Sequence, residues 1–347
     1  MQTRTTISEL GEFGLIERLA STISLQHPTS IKGIGDDAAV IENNEGNSQT
    51  LISTDLLLEG IHFDLTYFPL KHLGYKAAIV NFSDIYAMNG TPQQITVSIG
   101  VSNRFCIEDI EELYEGIKLA CSTYKVDIIG GDTSASLTGL TISITCIGVV
   151  NTKTIAYRNT AKEGDLICVS GNLGAAYMGL QLLEREKTLF RQTNNAQPDF
   201  TGKEYILQRQ LKPEARKDII ELLAKESIIP TSMIDISDGL SSETLHICTQ
   251  SKVGCRIYED KIPIDYQTAS MANEFNMNLV TAALNGGEDY ELLFTVPLSM
   301  HEKIATLEGI SIIGHTTKES LGCNLITRDG QEFQLKAQGW NALHKND

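Results

Sequence analysis

The chain contains 347 residues, of which 41% are apolar, and its 44 acidic and 28 basic side chains give a formal net charge of −16. This length favours two domains rather than one core. The acidic balance excludes the basic face that a nucleic-acid backbone requires, so no nucleic-acid partner is expected. It still permits a bound nucleotide, because Mg²⁺ bridges acidic proteins and anionic ligands.

The seven cysteines are scattered and contain no Cys-x-x-Cys pair. An odd, scattered set is typical of reduced, mostly buried thiols and predicts neither a disulfide framework nor a zinc site. The amino-terminal residues contain no apolar signal core, and no apolar run reaches membrane-spanning length. The sequence therefore predicts a cytoplasmic protein without a membrane partner.

Apolar periodicity predicts alternating strands and helices in the first 150 residues. Residues 140–149 alternate like a half-exposed strand, so the sheet is expected to be mixed rather than purely parallel. The predicted helices span residues 9–24, 70–89 and 107–124, and the predicted strands span residues 38–41, 51–54, 95–101, 126–129 and 140–149.

A second α/β unit is predicted to begin near residue 151, which divides the chain into domains 1–150 and 151–347. Residues 187–213 are polar and lack periodicity, so they are expected to form a long surface excursion. The other predicted elements are strands at 165–170, 233–236 and 291–296, a helix ending near 186, and helices at 214–226 and 240–251.

Five short aspartate motifs adjoin these apolar runs. Carboxylates beside hydrophobic stretches are costly unless a cation or a hydrogen-bond network compensates them. Oxygen-only ligands suit Mg²⁺, and metals held by carboxylates usually serve phosphate chemistry. The motifs are Gly-Asp-Asp at 35–37, Ser-Thr-Asp at 53–55, Asn-Phe-Ser-Asp at 81–84, Gly-Gly-Asp at 130–132 and Asp-Ile-Ser-Asp-Gly at 235–239.

Two of these motifs also have ordinary structural explanations, which for Gly-Asp-Asp is a polar turn before the strand. Adjacent residues of an extended segment point to opposite sides, so Asp37 is expected to face a shared site and Asp36 to face outward. Ser53, Thr54 and Asp55 end a predicted strand and suit Mg²⁺, but these residue types also favour helix N-caps.

The remaining motifs contain three candidate ligands and one aspartate, Asp238, with two possible roles. Asp84 lies inside an apolar helix, Asp132 follows a predicted strand that ends in two glycines, and Asp235 ends an apolar strand. Ligands commonly bind at such strand ends. Asp238 either binds a cation or caps the next helix, whose amino terminus favours negative charge.

Single residues outside the motifs are less informative. His62 is a base, a ligand contact or an ordinary loop histidine, and Arg158 is a phosphate clamp or a surface arginine. Glu288 follows two glycines that permit close approach of a ligand. Trp340 stacks on a cationic ring or packs against the core.

The chain lacks the common phosphate-binding and catalytic motifs. It contains no Gly-x-x-x-x-Gly-Lys-Ser/Thr loop, no protein-kinase His-Arg-Asp or Asp-Phe-Gly set and no Gly-x-Ser-x-Gly elbow. If this protein uses ATP, it relies on metals held by aspartates.

Taken in order, the motifs resemble those of the thiamine-monophosphate kinase family, and the resemblance runs from about residue 9 to Trp340. It rests on the ordered set rather than on any one motif. The matching segments are Gly-Ile-Gly-Asp-Asp (33–37), Ser-Thr-Asp (53–55) with Gly-Ile-His (60–62), Asn-Phe-Ser-Asp-Ile-Tyr-Ala-Met (81–88), Ile-Gly-Gly-Asp-Thr (129–133), Ile-Asp-Ile-Ser-Asp-Gly-Leu (234–240) and Gly-Gly-Glu-Asp-Tyr-Glu-Leu (286–292).

The resemblance implies a fold and an assembly. The family belongs to the aminoimidazole ribonucleotide synthetase-like ATP-using superfamily, whose members have two α/β domains with mixed sheets. It implies an amino-terminal ATP- and Mg²⁺-binding domain and a homodimer in which the amino-terminal sheets of two chains form a shared barrel.

The resemblance also implies roles for individual residues. Mg²⁺ ions would be bound by Asp37, Ser53, Thr54, Asp55, Asp84, Asp132, Asp235 and Asp238. ATP would contact Tyr114, Gly131, Asp132, Arg158 and Ser237. Thiamine monophosphate would contact His62, Glu288 and Trp340. Asp55 and Asp132 would be the most critical residues, and the region 187–213 would contribute nothing catalytic.

The implied reaction is direct transfer of the ATP γ-phosphoryl group to the phosphate of thiamine monophosphate. Positioning and charge neutralisation supply most of the catalysis in such a transfer, and the ionised acceptor needs no general base. Alternatives are another ATP-using enzyme of the superfamily, a metal-dependent phosphohydrolase and a non-catalytic nucleotide- or thiamine-phosphate-binding protein. A selenophosphate synthetase is disfavoured because no cysteine precedes Cys106, and the hydrogenase-maturation type because the chain does not end in a cysteine.

Overall fold

The amino-terminal sheet of the computed structural model, which describes residues 6–43, 46–193 and 197–337, is mixed. Its spatial order is β1-β2-β3-β6-β4-β5, and β4 and β5 are parallel while the other neighbours are antiparallel. This confirms the expected mixed sheet. The strands are β1 (Ser30–Lys32), β2 (Ala39–Glu42), β3 (Ser48–Leu58), β4 (Thr91–Val101), β5 (Asp127–Ala135) and β6 (Leu140–Asn151).

Among the described residues, the helices that contact this sheet pack on one of its faces. Helix α1 spans Ile7–Ala20, and α2 (Leu70–Ala87) and α3 (Ile107–Tyr124) pack against each other, with α2 lying on β3 and β6. Alternate strand residues on the helix side, such as Val97 and Ile144, are buried. On the opposite side Leu56 is 51% exposed, so that face is open in the single chain.

The carboxy-terminal sheet contains seven strands in the order β13-β12-β9-β11-β7-β10-β8, with only β12 and β9 parallel among the pairs described. The strands are β7 (Leu166–Ser170), β8 (Ser232–Asp235), β9 (Val253–Tyr258), β10 (Leu292–Val296), β11 (Ile310–Lys318), β12 (Cys323–Ile326) and β13 (Glu332–Gln334). The helices are α4 (Ala175–Thr193), α5 (Glu204–Leu211), α6 (Lys217–Lys225), α7 (Leu240–Ser251), α8 (Tyr266–Glu274), α9 (Leu279–Asn285) and α10 (His301–Ile304).

The surface excursion expected at 187–213 is wrong for residues 204–211, which form a packed helix, whereas residues 197–202 lie largely on the surface. Helix α4 continues to Thr193, and α5 packs so closely on it that a Cβ at Gly179 would lie 2.3 Å from the carbonyl oxygen of Ile206. Ile206 and Gln210 are both buried. The polar composition misleads because polar side chains of α5 point inward, toward buried carboxylates rather than toward solvent.

Two strands extend beyond their predicted ends. Strand β3 continues to Leu58, so Asp55 lies inside a strand and is not a helix cap. Strand β5 continues to Ala135, so Asp132 also lies within a strand rather than at its end. None of the helices in the described ranges combines the length and apolar character needed to cross a bilayer.

Two glycines set the distance between α2 and α3. A Cβ at Gly74 would lie 1.9 Å from the carbonyl oxygen of Leu113, and a Cβ at Gly116 would lie 1.9 Å from that of Lys71. No side chain fits at either point, so the two backbones touch. This contact fixes α2, which carries Asp84, against the sheet.

We expect Gly116→Ala to lower the free energy of unfolding by about 1–3 kcal/mol, because an added methyl in a closed contact forces the helices apart. The measurement is the chemical-denaturation midpoint. Gly100→Ala is the matched control, since its Cβ would meet no atom closer than 3.5 Å. Equal stability of the two variants would contradict the close contact.

Candidate active site

Four aspartates from both sheets form one acidic cluster, namely Asp37, Asp55, Asp84 and Asp235. Carboxylate oxygens of Asp37, Asp84 and Asp235 all lie within 4.8 Å of one another, and Asp55 is close enough for its charge to raise the pKa of Asp84. Asp37 precedes β2, Asp55 lies in β3, Asp84 in α2, and Asp235 ends β8. Residues up to 198 positions apart therefore meet at the junction of the two sheets.

Short hydrogen bonds hold the acidic cluster in place. The Ser83 hydroxyl donates to Asp235 at 2.6 Å, and the Ser53 hydroxyl donates to Asp84. The backbone N–H of Asp55 donates to the side-chain oxygen of Asn81 at 3.2 Å. The Oδ2 atom of Asp55 is buried and has no hydrogen-bond partner among the described residues. Because buried polar atoms normally have a partner, this oxygen is a candidate metal ligand.

Arg158 is the cation that contacts this cluster. Its Nε donates to Asp37 Oδ2 at 3.0 Å and its Nη2 donates to the other oxygen, so the pair is bidentate. Asp36, expected to face outward, is instead buried: its side chain is 0% exposed and lies 3.5 Å from Lys32. The expectation fails because Gly35 has φ of +116°, and the loop is not extended.

Burial and mutual repulsion raise the pKa values of the acidic cluster. The pKa of Asp84 is raised well above its usual value by burial and by the neighbouring Asp55 and Asp235. Burial raises the pKa of Asp55 to about 6, and burial with the charge of Asp37 raises that of Asp235 to about 8. Without a metal, these carboxyls are therefore partly protonated near neutral pH.

The donor set fits Mg²⁺. Two oxygens on one Mg²⁺ lie about 3–4 Å apart, because each Mg–O distance is about 2.1 Å, and the oxygens of Asp37, Asp84 and Asp235, all within 4.8 Å of one another, are in this range or slightly beyond it. The ligands that the cluster offers are oxygen atoms, and the unpaired Asp55 oxygen is available. A divalent cation would also remove the repulsion that raises the pKa values.

A second polar group contains His62 and Glu288. Glu288 forms an ion pair with Lys76 at 2.7 Å and accepts a hydrogen bond from Gln210 at 2.8 Å. Burial lowers the pKa of His62, while the nearby charge of Glu288 opposes that shift. Glu288 and Tyr290 both have φ near +50°, a left-handed conformation that costs about 1–3 kcal/mol per residue and often marks functional loops.

Ser237 and Asp238 connect the two groups. The Ser237 carbonyl accepts from the backbone N–H of Glu288 at 2.7 Å. Asp238 does not cap α7, since Gly239 is the N-cap residue. Burial and the charge of Glu12 raise the pKa of Asp238 to about 6, and Glu288 also contributes.

Four of the predicted site residues lie away from the acidic cluster in this chain. The Thr54 hydroxyl bonds to Thr145 and the Ile144 carbonyl rather than to the cluster. Tyr114 is half-buried in α3 against the amino-terminal core. Gly131 and Asp132 lie on the exposed edge strand β5. Trp340 lies outside the described residues.

Strand order shows how far Asp132 is from the acidic cluster. The register runs from Asp132 to Ser98 in β4, Ser143 in β6 and Leu56 in β3, next to Asp55. Three strand spacings of about 4.8 Å amount to about 14 Å. Asp132 and Asp55 of one chain therefore do not share an ion in this sheet.

Comparison with known proteins gives the family. Residues 35–150 match the family model of the AIR synthase related protein, N-terminal domain, and residues 162–321 match its C-terminal domain. The thiamine-monophosphate kinase of Aquifex aeolicus is 35% identical over 84% of this chain and 87% of its own length. That of Bacillus subtilis is 32% identical over 96% and 99%. The chain belongs to the thiamine-monophosphate kinase family.

Solved structures agree with this assignment. The structure of AaThiL complexed with AMPPCP and TMP has a TM-score of 0.81 and 32% identity, and the match covers 99% of this chain and 100% of that one. Hydrogenase maturation protein HypE in complex with ATP has a TM-score of 0.68 at 20% identity, which shows a shared fold alone. The two-domain fold with mixed sheets that the sequence predicted is thus confirmed.

Sequence reasoning missed several residues that the structure places at the site. Lys76 is 1% exposed and pairs with Glu288, and Gln210 bonds to the same carboxylate. Arg209 binds Glu291 at 2.9 Å. The sequence could have indicated Lys76, because it is a lysine within a largely apolar helix. It could also have indicated Ser83, because this residue directly precedes Asp84.

In the absence of divalent cations, we expect stability to fall as pH rises from about 4 to about 8. Folded carboxyls with raised pKa values bind more protons than unfolded ones, so their stabilising effect is present at low pH and is lost through this window. Asp84→Asn removes one repelling carboxylate. It should raise the free energy of unfolding at pH 8 by at least about 1.4 kcal/mol, the equivalent of one pKa unit.

The measurement is urea unfolding in EDTA at several pH values. Asp260→Asn is the control, because Asp260 is exposed and has only a neighbouring Lys261 at 4.0 Å. Parallel pH profiles for the wild type and Asp84→Asn would contradict the repulsion.

Proposed function

We propose that the protein is a thiamine-monophosphate kinase, an ATP-dependent phosphotransferase that acts in thiamine biosynthesis and uses a phosphate group as acceptor. ATP and thiamine monophosphate are converted to ADP and thiamine diphosphate. The observation that carries this proposal is the acidic cluster beside the polar group around Glu288, in a chain whose relatives carry that enzyme name. The TMP and AMPPCP named for the AaThiL structure support both substrates.

Several Mg²⁺ ions are the proposed cofactors. Asp37, Asp55, Asp84 and Asp235 would hold them, with the Ser53 hydroxyl and the Thr54 backbone beside Asp55 and with Asp238 as an additional ligand. When bound, the ions supply neutralisation of the phosphate charges and align donor and acceptor. The cluster's raised pKa values support this role, because they mark carboxylates that lack compensating charge.

Arg158 and Ser237 are the proposed ATP contacts, and Tyr114 is a further one. The Arg158 guanidinium is planar and suits phosphate oxygens as well as the Asp37 carboxylate that it now contacts. A cation on Asp37 would free the guanidinium for phosphate. The same side chain therefore serves the empty and the nucleotide-bound site.

Glu288 and His62 are the proposed contacts of thiamine monophosphate, and Trp340 completes the set. Glu288 offers a carboxylate to the cationic thiazolium or to a hydrogen-bond donor of the pyrimidine. Lys76 and Gln210 hold that carboxylate at 2.7 and 2.8 Å, which preorganises it. His62 accepts from the Leu58 backbone through Nδ1 at 3.0 Å, so a neutral ring presents Nε2–H outward.

No general base is required in this scheme. The acceptor phosphate already carries an ionised oxygen near neutral pH, so side chains only position it and exclude water. A non-catalytic binding protein would not need four repelling buried carboxylates, whose cost is offset only when they hold cations.

We infer a homodimer in which the open faces of two amino-terminal sheets form a shared barrel. All nine residues of β5 are exposed in the single chain, and Ile129 is 57% exposed. Asp132 is too far from the acidic cluster of its own chain. The dimer would bring Gly131 and Asp132 of one chain to the cluster of the other. Residues 1–150 would then be the ATP- and Mg²⁺-binding and dimerisation domain, and residues 151–347 the second α/β domain.

The direct test is incubation with Mg²⁺-ATP and thiamine monophosphate while thiamine diphosphate and ADP are measured. We expect both products in equal amounts, and we expect Asp55→Asn to lower kcat at least about 100-fold without loss of folding. Asp260→Asn should leave kcat unchanged. ADP with free phosphate and no diphosphate would reject the kinase in favour of a phosphohydrolase.

Intersubunit complementation tests the shared site. Asp55→Asn and Asp132→Asn should each be inactive alone, and a mixture allowed to exchange subunits should regain about a quarter of wild-type activity. About half of the dimers are then mixed, and each has one of its two sites intact. A mixture as inactive as its components would place Asp132 in its own chain's site, and full activity of Asp132→Asn alone would show that Asp132 has no catalytic role.

A further inference from the structure

Three of the seven cysteines, which the proposed kinase reaction does not use, come together in the carboxy-terminal half of the chain. The Sγ atoms of Cys248, Cys255 and Cys323 all lie within 4.8 Å of one another. Cys248 lies in α7, Cys255 in β9 and Cys323 in β12. Their spacing in sequence gives no sign of this, because 68 residues separate the last two.

The backbone holds all three positions firmly. Lys252, with φ of +55°, ends α7 in a left-handed turn and donates to the Cys248 carbonyl, which brings β9 back beside Cys248. Cys255 and Cys323 are register partners on adjacent parallel strands. The N–H of Cys255 donates to Gly322 at 3.0 Å, and the carbonyl of Cys323 accepts from Leu335 at 2.9 Å.

The surroundings separate this cluster from the acidic one. Cys248 and Cys255 are buried in an apolar core with Ile247 and Ile257, and Cys323 is half-buried at its margin. No carboxylate or histidine joins the three sulfurs within that distance in the part of the chain described. The cluster therefore offers soft ligands only, with access from the Cys323 side.

We propose that Cys248, Cys255 and Cys323 form a binding site for one soft, thiolate-preferring cation, of the class of Cu(I) or Zn(II). A metal–sulfur distance of about 2.3 Å places three sulfurs about 4 Å apart around one ion, so the observed separation needs only a small contraction. Soft thiolate ligands select these cations over Mg²⁺. Binding replaces thiol protons, which leave to solvent, and changes no oxidation state.

The arrangement favours a metal over a disulfide. Cys255 and Cys323 are fixed side by side by the sheet, and a disulfide needs a specific dihedral geometry that the third thiol does not help to reach. Three sulfurs within 4.8 Å of one another provide one ligand more than a disulfide would use.

The experiment titrates the reduced full-length protein with Cu(I) and, separately, with Zn(II), each against a chromogenic chelator and with millimolar Mg²⁺ to fill the acidic cluster. We expect one ion per chain for at least one of the two metals. Cys323→Ser should weaken that binding at least about tenfold, since even residues outside the ligand shell contribute 10- to 100-fold. Cys106→Ser is the matched control, because Cys106 is exposed and lies outside the cluster.

X-ray absorption of the wild-type protein loaded with one equivalent gives a measurement that does not depend on variants. Three sulfur ligands at about 2.3 Å would support the site. Ligation dominated by oxygen or nitrogen, no binding of either metal, or unchanged affinity in Cys323→Ser would overturn it. Kinase activity is not a readout here, so this result and the proposed function stand or fall separately.

Discussion

Repulsion between buried carboxylates is the constraint on which the rest of this molecule depends. Four aspartates meet where water is largely excluded, and such a cluster is stable only if cations or protons reduce its charge. Arg158 neutralises part of it through Asp37, and raised pKa values account for more. The fold must hold these groups together against their own electrostatics, which the serine and asparagine hydrogen bonds and the rigid α2–α3 contact achieve.

The acidic cluster also joins the two halves of the chain. Asp37, Asp55 and Asp84 come from the amino-terminal sheet and its helix, while Asp235 comes from the carboxy-terminal sheet. The bond from Ser83 to Asp235 crosses the same junction. A change in the charge of the cluster therefore affects both sheets. A substitution in the cluster also changes the contact between the two halves of the chain.

Much of this was predictable from sequence because local signals and global structure agree. The 107–124 helix was predicted at its observed bounds, and Asp84 and Asp235 were placed on the correct helix and strand end. The failures have physical causes. The alternation of side chains in an extended strand predicted that Asp36 faces outward, which is wrong because Gly35 has a positive φ and the chain is not extended there. The polar composition of α5 predicted a surface segment, which is wrong because its polar side chains bind buried partners. The three clustered cysteines depend on tertiary contacts that no sequence spacing encodes.

Strand β5 is an exposed edge strand that carries both apolar and acidic residues. An exposed edge strand with apolar residues such as Ile128 and Ile129 is a template for aggregation with other chains. The charges of Asp127 and Asp132 lie on that same edge, where carboxylates discourage unintended strand pairing. If Asp132 acts in the proposed dimer, the same carboxylate would both protect the edge strand before assembly and serve the active site after it. A neutral side chain at this position would leave the apolar edge with less charge to oppose unintended pairing during folding.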